Sequence, residues 1–306
     1  MKNDRLYYLT AAVLAVAWLL TPGQTHAAKN RNLNVNFQGS GEHCADLKVT
    51  SNGEVAQANE AFTLTKAEAP ILEVNGVERG IFHVRGWDRP DYSVETCKVA
   101  AADDRATAEQ VVRGISVTRS AGHFSSSGPA NPDVTWQLYF IIRAPKDASL
   151  DLETKNGPID VAGVSGTLKI RATNGPVSVH DSAGTVEVHT SNGPISFGGG
   201  GGEVHLTAQN GPIALELAGE VWNGASLEAR TINGPVSISM PDGFRTGVRV
   251  ETSGHAPVSC AAGACKGAWT DNQRVIQLNG SQDTIRVSTS NGPVSVHGPR
   301  KTGRVI

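Results

Sequence analysis

Four copies of one phrase stand at a regular spacing: LDLETKNGPIDV from Leu150, LKIRATNGPVSV from Leu168, VEVHTSNGPISF from Val186 and VHLTAQNGPIAL from Val204. Each copy begins 18 residues after the previous one. On both sides of each Asn-Gly-Pro, apolar residues stand two positions apart, which is typical of short strands with one buried face. Each copy therefore predicts two β-strands joined by a corner.

A single unit of this kind is too small to fold alone. The burial of its few inward aliphatic side chains releases less free energy than the ordering of its backbone costs. Stacking removes the deficit, because strands pair between units and each layer of the core is covered by the next. We predict an all-β protein, a parallel β-solenoid (β-helix or β-roll) with 18-residue coils and a less regular β-rich N-terminal part.

The Asn-Gly-Pro motif is interpreted as a structural corner. Glycine provides backbone freedom at the bend, and proline has no N–H and so suits an interruption of the ladder. The asparagines align from coil to coil, so their amides can hydrogen-bond one another. A ligand-binding row of asparagines is the alternative. The motif residues are Asn156, Gly157, Pro158, Asn174, Gly175, Pro176, Asn192, Gly193, Pro194, Asn210, Gly211, Pro212, Asn233, Gly234, Pro235, Asn291, Gly292 and Pro293.

The period loosens after Leu215. A variant of the motif ends at Pro257, and the last full copy ends at Pro293, 36 residues further on. Because 36 is two periods, we predict a degenerate coil between them, near residues 275–278. The later corners are also longer, at 216–226 and 261–284, and insertions in solenoids often carry the binding surface.

The chain opens with features of an export signal. Lys2 and Arg5 precede a mostly apolar stretch, residues 6–20, which is short for a membrane span, and Thr25-His26-Ala27 suits cleavage. We predict that residues 1–27 are removed, that no membrane anchor remains, and that the protein reaches the periplasm, cell surface or exterior. The net charge is −2 and no basic stripe is present, so nucleic acid is not an expected partner.

Four cysteines in an exported chain indicate two disulfides, for which three connectivities exist. Sequence proximity favours Cys44 with Cys97 and Cys260 with Cys265. Free or mispaired thiols are the alternative. No C-x-x-C pair occurs, and neither a metal nor a cofactor is predicted.

Residues 28–145 are β-rich but irregular, and residues 47–53 resemble a worn copy of the repeat. Two readings stay open for this region: early irregular coils, or a separate domain. The alternating residues 134–142 are predicted to lead into the regular stack, residues 146–297. Residues 298–306 form a tail that either caps the last coil or is disordered.

The patterns of common catalytic sites are missing from the sequence. Neither H-E-x-x-H nor G-x-S-x-G occurs. His189 and His205 fall on neighbouring coils and are interpreted as an exposed polar pair. The calcium-binding β-roll needs repeated Gly-Gly-x-Gly-x-Asp, whereas Gly198–Gly202 is the nearest match and lacks the Asp.

The repeated T-x-N-G-P-I/V-x-V phrase, the export signal and the lead-in Ile142–Pro145 followed by Leu150-Asp151-Leu152 resemble the bacterial putative adhesin family, a domain of unknown function. The resemblance covers residues 134 to the end well and the earlier region weakly. It implies an exported β-solenoid at the cell envelope with a binding role, and it carries no catalytic residues.

We therefore expect an exported, non-enzymatic β-solenoid that binds a glycan or protein ligand, or acts as a scaffold, at the cell envelope. A carbohydrate-active enzyme with its site in the long corners is the first alternative, and an envelope-stress sensing domain is the second. Acidic residues lining one groove favour the enzyme. A flat face of short polar residues favours binding.

Overall fold

The computed structural model describes residues 32–38, 41–130, 134–253, 257–261, 265, 269–271, 274–280, 282 and 284–299. The predicted export signal, residues 1–27, and most of the predicted tail, residues 300–306, lie outside these residues. The described chain is all-β, with two large sheets in which parallel pairs are frequent, so the prediction of an all-β protein is confirmed. None of the helices in the described ranges is long and apolar enough to cross a membrane.

The N-terminal part contains one α-helix among strands of varied length. Its elements are β1 (Leu33–Phe37), a 3-10 helix (Cys44–Asp46), β2 (Leu47–Ser51), β3 (Glu54–Thr65), β4 (Ile71–Val77), β5 (Gly80–Trp87), β6 (Asp91–Ala102), α1 (Arg105–Gly114), β7 (Ser116–Ser120), β8 (His123–Ser127) and β9 (Thr135–Pro145).

The remaining described elements are all strands. They are β10 (Ser149–Asn156), β11 (Ile159–Ala162), β12 (Thr167–Asn174), β13 (Val177–His180), β14 (Thr185–Asn192), β15 (Ile195–Gly199), β16 (Gly201–Asn210), β17 (Ile213–Leu217), β18 (Asn223–Asn233), β19 (Val236–Ser239), β20 (Val248–Thr252), β21 (Val258–Cys260), β22 (Trp269–Asp271), β23 (Val275–Leu278), β24 (Ile285–Asn291) and β25 (Val294–His297).

Through the repeats, the chain alternates between the two large sheets. The longer strand of each unit joins a 12-stranded sheet, in the order β22-β23-β20-β24-β18-β16-β14-β12-β10-β4-β8-β7. The shorter strand joins an 11-stranded sheet, in the order β21-β25-β19-β17-β15-β13-β11-β5-β9-β6-β3. Equivalent residues pair in parallel, for example Leu150 with Leu168 and Ile159 with Val177, so the 18-residue spacing becomes the strand register.

The core lies between the two sheets. Inward residues such as Leu152, Val179 and Phe197 are almost completely buried, because every second side chain of a strand points to the same face. Phe82 of β5 and Phe140 of β9 stack there with ring centroids 5.1 Å apart. One continuous hydrophobic cluster runs from the N-terminal strands to β25.

Helix α1 covers the N-terminal end of this core. Asp104 is its N-cap, accepting from the Thr107 backbone N–H at 2.9 Å. That backbone hydrogen bond and a second one from the Thr107 hydroxyl lower the pKa of Asp104. The buried side chains of the helix are Ala108, Val111 and Val112. At this end of the stack the helix covers apolar surface, as a neighbouring coil does within the repeats.

The order of the strands at the C-terminal end differs from the prediction of consecutive coils. Strand β24 pairs directly with β18, which places Asn291 beside Asn233, whereas the sequence predicts two coils between them. Strands β20, β23 and β22 lie beyond β24, and β23 (residues 275–278) is antiparallel to β20 rather than a parallel coil. The physical reason is that the Asn291 corner after β24 continues the asparagine ladder from Asn233, whereas the variant corner that ends at Pro257 has no asparagine.

The start of the chain also departs from its repeat-like sequence. Residues 47–53 do not form a coil: β2 pairs antiparallel with β1 in a separate two-stranded sheet. The coil below β10 and β11 is formed by β4 and β5 instead. Strand β9, the predicted lead-in, lies on the other side of β5, and its Tyr139 and Ile141 pack under the β1–β2 hairpin.

Candidate functional site

The outward face of the 11-stranded sheet carries a straight row of short residues. Each lies between the two inward residues of its strand, and the parallel register places each beside the next. Most are half-buried, so neighbouring backbone holds them in place. We call this row the short-residue face; it consists of Ser178, Ser196, Ala214, Ser237, Ser295 and Ser259.

Two histidines lie against the hydroxyls of this face. The Nε2 atom of His180 is 2.6 Å from the Ser178 hydroxyl oxygen, and that of His297 is 3.2 Å from the Ser237 hydroxyl. A catalytic pair needs a third group that orients the base. The Nδ1 atom of His180 faces the bare backbone of Gly198, where a Cβ atom would come within 2.9 Å. The two hydrogen bonds orient the hydroxyls of Ser178 and Ser237.

A charged cluster closes the face at its N-terminal end. Asp160, in register with Ser178, accepts from Arg85 at 2.5 Å and lies 3.3 Å from Nδ1 of His83. Burial opposes ionisation of Asp160, but hydrogen bonds from His83 and Arg85 and their charges outweigh it, so the pKa of Asp160 is lowered. Phe37 stacks on the His83 ring at 4.7 Å.

The β1–β2 hairpin sits on the sheet next to this cluster. A disulfide joins Cys44 to Cys97 of β6 and ties the hairpin down. The Arg143 guanidinium donates to Nε2 of His43 at 2.8 Å, so Nδ1 carries the proton and donates to Glu95 at 2.5 Å. The hairpin is thus held by a covalent bond and by charged hydrogen bonds.

The other candidate disulfide, Cys260 with Cys265, is also present. Cys260 lies in β21, which is the last strand of the same sheet, beyond β25. Both pairs match the connectivity that sequence proximity favours. Among the described residues, no group of three His, Cys, Asp or Glu side chains is close enough to hold a metal ion.

The motif asparagines form a continuous ladder along one edge of the stack. Each side-chain N–H donates to the amide oxygen of the asparagine on the neighbouring coil, at distances of 2.8–3.1 Å. The first member, Asn156, donates to the carbonyl of Glu78 at 3.0 Å. Each asparagine inside the ladder therefore uses one N–H donor and its amide oxygen within the protein.

The motif glycines allow the corners to stack closely. A Cβ atom on Gly175 would lie 2.2 Å from the carbonyl oxygen of Gly157, which no side chain tolerates. The same residue has φ +154, a backbone conformation that favours glycine. The prolines contribute their carbonyls: that of Pro176 accepts from the Ile159 N–H at 3.0 Å.

The outward face of the 12-stranded sheet carries charged side chains, unlike the short-residue face. Arg171 donates to Asp151 at 2.6 Å and to Glu153 at 3.1 Å. Burial opposes its charge, but these two carboxylates outweigh the burial and raise the pKa of Arg171. His189 and His205 line a shallow hollow of about 260 Å³ beside it. Paired charges of this kind fix strand register.

The long corner at residues 216–226 is mostly exposed but is anchored by a buried side chain. Trp222 is buried and its ring N–H donates to the Gly202 carbonyl at 3.1 Å. Glu220 pairs with Arg245 at 2.8 Å. Much of the other long corner, 261–284, lies outside the described residues. A hollow of about 300 Å³ on the same sheet is lined by Glu228 and Glu251 together with Arg249 and Arg286.

The short-residue face was not identified from the sequence, although a signal for it exists. Serine recurs between the two inward residues after Asn-Gly-Pro, as in PVSV and PISF. Small polar residues at outward positions look like ordinary solvent-exposed residues until the register aligns them.

Comparison with known proteins gives limited similarity. No protein-family model matches the chain, and no curated protein matches it. A putative cell adhesion protein from Clostridium sporogenes has 10% identity and a TM-score of 0.33, over 79% of this chain and 100% of that chain. A putative adhesin from Bacteroides fragilis has 12% identity and a TM-score of 0.39, over 80% and 97%.

A putative lipid binding protein from Parabacteroides distasonis has 9% identity and a TM-score of 0.34, over 79% of this chain and 98% of that chain. TM-scores this low leave the fold and function of this chain to be argued from its own residues.

Proposed function

We propose that this chain is an exported, non-enzymatic β-solenoid of the bacterial cell envelope, which binds a ligand or acts as a scaffold through the short-residue face. The observation that carries the proposal is the straight, uncharged row from Ser178 to Ser259 on parallel-paired strands of the 11-stranded sheet. A flat face of short polar residues suits binding, because it admits a ligand closely and needs little reordering.

The solenoid interpretation is supported by the strand pairing. Consecutive motif-bearing units pair in parallel in both sheets without a change in register from β10 to β16 and from β11 to β17. Each unit thus adds one strand to each sheet. We propose that residues 146–297 form this solenoid and that residues 28–145 extend the same core as its irregular N-terminal part, supported by the shared hydrophobic cluster.

Regular spacing on the face indicates the shape of the ligand. Neighbouring strands in a sheet lie about 4.8 Å apart, so the short residues repeat at that interval along the stack, with a hydroxyl at every position of the row except Ala214. A linear polymer with hydroxyl or amide groups along its length matches this pattern, and envelope glycans are polymers of that kind. The charged cluster at Asp160 and Arg85 limits the face at one end.

Export is supported by the two disulfides. Disulfides form and persist in oxidising compartments such as the periplasm and the exterior. The N-terminal segment, residues 1–27, has the sequence of a cleavable signal. We place the mature chain in the periplasm or at the cell surface.

The test is binding of the purified mature chain to an array of glycans and cell-wall fragments, with product analysis of every hit. We expect binding to at least one polymer and an unchanged polymer after long incubation. Cleaved product would refute the non-enzymatic proposal and favour the carbohydrate-active alternative. If nothing on the array binds, the proposal of a glycan ligand is refuted and a protein partner is the remaining ligand class.

A further inference from the structure

An open cleft of about 560 Å³ separates strand β1 from the corner at Pro158. The whole of β1, Leu33–Phe37, lines one side of the cleft, and Ile81, Gln137 and Tyr139 of the 11-stranded sheet lie beneath it. Burial raises the pKa of Tyr139, so its phenol stays neutral. The cleft lining contains no other ionisable side chain.

One edge of β1 is free. In the described chain this strand pairs with β2 alone. The Gln38 N–H donates to the Asp46 carbonyl at 2.7 Å, which identifies that pair as hydrogen-bonded. Hydrogen-bonded pairs alternate in an antiparallel ladder, so Leu33, Val35 and Phe37 direct their N–H and C=O groups away from β2.

These outward backbone groups have no hydrogen-bond partner among the described residues. The hairpin itself is firmly held, since Leu33 and Val35 pack on Leu47 and Tyr139 and the Cys44 disulfide anchors the turn. The cleft therefore presents a fixed, unpaired strand edge above a partly apolar floor.

We propose that this cleft binds an extended, uncharged peptide segment of a partner protein, which adds a third strand beside β1. The unpaired groups alternate as donors and acceptors at two-residue intervals, about 6.8 Å for a strand rising 3.4 Å per residue. An extended peptide has the same interval, and addition of a strand to a free edge is an established mode of recognition.

The lining also limits the side chains of that peptide. Every second side chain points down towards Ile81 and Tyr139, so those positions are apolar. The others point to solvent near Asn34 and Asn36, whose side chains are exposed. A charged residue in the cleft would lose solvation without gaining an ion pair.

The test uses synthetic heptapeptides of alternating apolar and uncharged polar residues, displayed as an array against the mature protein. Hits are titrated by fluorescence anisotropy and made again with N-methyl groups on alternate amides, in both registers. We expect one N-methylated register to weaken binding by about tenfold or more, because it blocks the paired edge. Hits that tolerate both registers would overturn the proposal, and so would an array without hits.

The protein side is tested with Val35→Pro, which removes an N–H that faces the cleft and leaves the β1–β2 hydrogen bonds intact. Val35→Ala is the matched control. We expect Val35→Pro to weaken binding by about tenfold and Val35→Ala by less than about threefold.

Amide hydrogen exchange of the wild-type complex provides a readout that does not need the proline variant to fold. Leu33, Val35 and Phe37 should become protected on peptide binding. Unchanged exchange at these three residues would overturn the proposal. Glycan binding by the short-residue face is measured separately, so failure of either site is distinguishable.

Discussion

Substitution of Asn192 by alanine tests the asparagine ladder. The side chain of Asn192 donates to Asn174 at 3.0 Å and accepts from Asn210 at 3.1 Å. An intramolecular hydrogen bond contributes about 0.5–1.5 kcal/mol net, with exposed bonds near the lower end. Loss of both bonds should therefore lower the free energy of unfolding by about 1–2 kcal/mol.

The matched control is Asn291→Ala at the end of the ladder. Asn291 donates to Asn233 at 2.8 Å, and no further asparagine continues the ladder among the described residues. This variant should lose about half as much as Asn192→Ala. Urea unfolding followed by circular dichroism measures both. Equal losses, or a loss below about 0.3 kcal/mol at Asn192, would refute the stabilising role of the ladder.

Three further predictions concern stability. Replacing Cys44 and Cys97 together by serine should lower the unfolding free energy by about 4 kcal/mol, because the unfolded chain regains the entropy of a loop with a sequence separation of 53. Urea unfolding measures this loss, and reductant should cause no further loss at these two positions in the variant. Phe197→Ala should cost about 3–5 kcal/mol because the ring is fully buried, whereas the exposed Glu187→Ala should change the urea midpoint little. Because the pKa of Asp160 is lowered in the folded state, the stabilisation by its carboxylate is present above about pH 3.9, the unfolded value, and is lost as pH falls through the folded pKa. The difference in unfolding free energy between wild type and Asp160→Asn should therefore shrink between pH 7 and pH 3. A difference that grows over this range would contradict the prediction.

The repeats could be predicted well because each copy carries the sequence signals for its own strands and corner. Inward residues at Leu150 and Leu152, the corner at Asn156 and the next copy 18 residues on determine both the buried face and the strand register. The disulfide pairs follow from proximity in sequence. These are local signals, or signals that recur at one spacing.

Long-range placement could not be predicted in the same way. The segment between β19 and β24 places β20 and β21 as a parallel layer beyond β24 and β25, with β23 antiparallel to β20, and sequence spacing alone does not reveal this change of strand order. The worn copy at residues 47–53 pairs with β1 because hairpin formation and the Cys44 disulfide hold it on the sheet surface.

The candidate sites depend on those placements. Ser196 becomes part of a row only once β13, β15 and β17 are aligned. The cleft beside β1 exists because the hairpin docks on β5 and β9, which no local pattern indicates. A pattern of serine between inward residues was present, but its meaning required the register.

The most direct test of binding through the short-residue face compares two arginine substitutions in cell-wall pull-downs of the mature protein. Ser196→Arg places a long charged side chain in the middle of the face, whereas Thr207→Arg places one at a half-buried outward position of the 12-stranded sheet. We predict that Ser196→Arg lowers the bound fraction by about tenfold while Thr207→Arg leaves it near wild type. Equal binding by the two variants, or selective loss with Thr207→Arg, would contradict the assignment of the face.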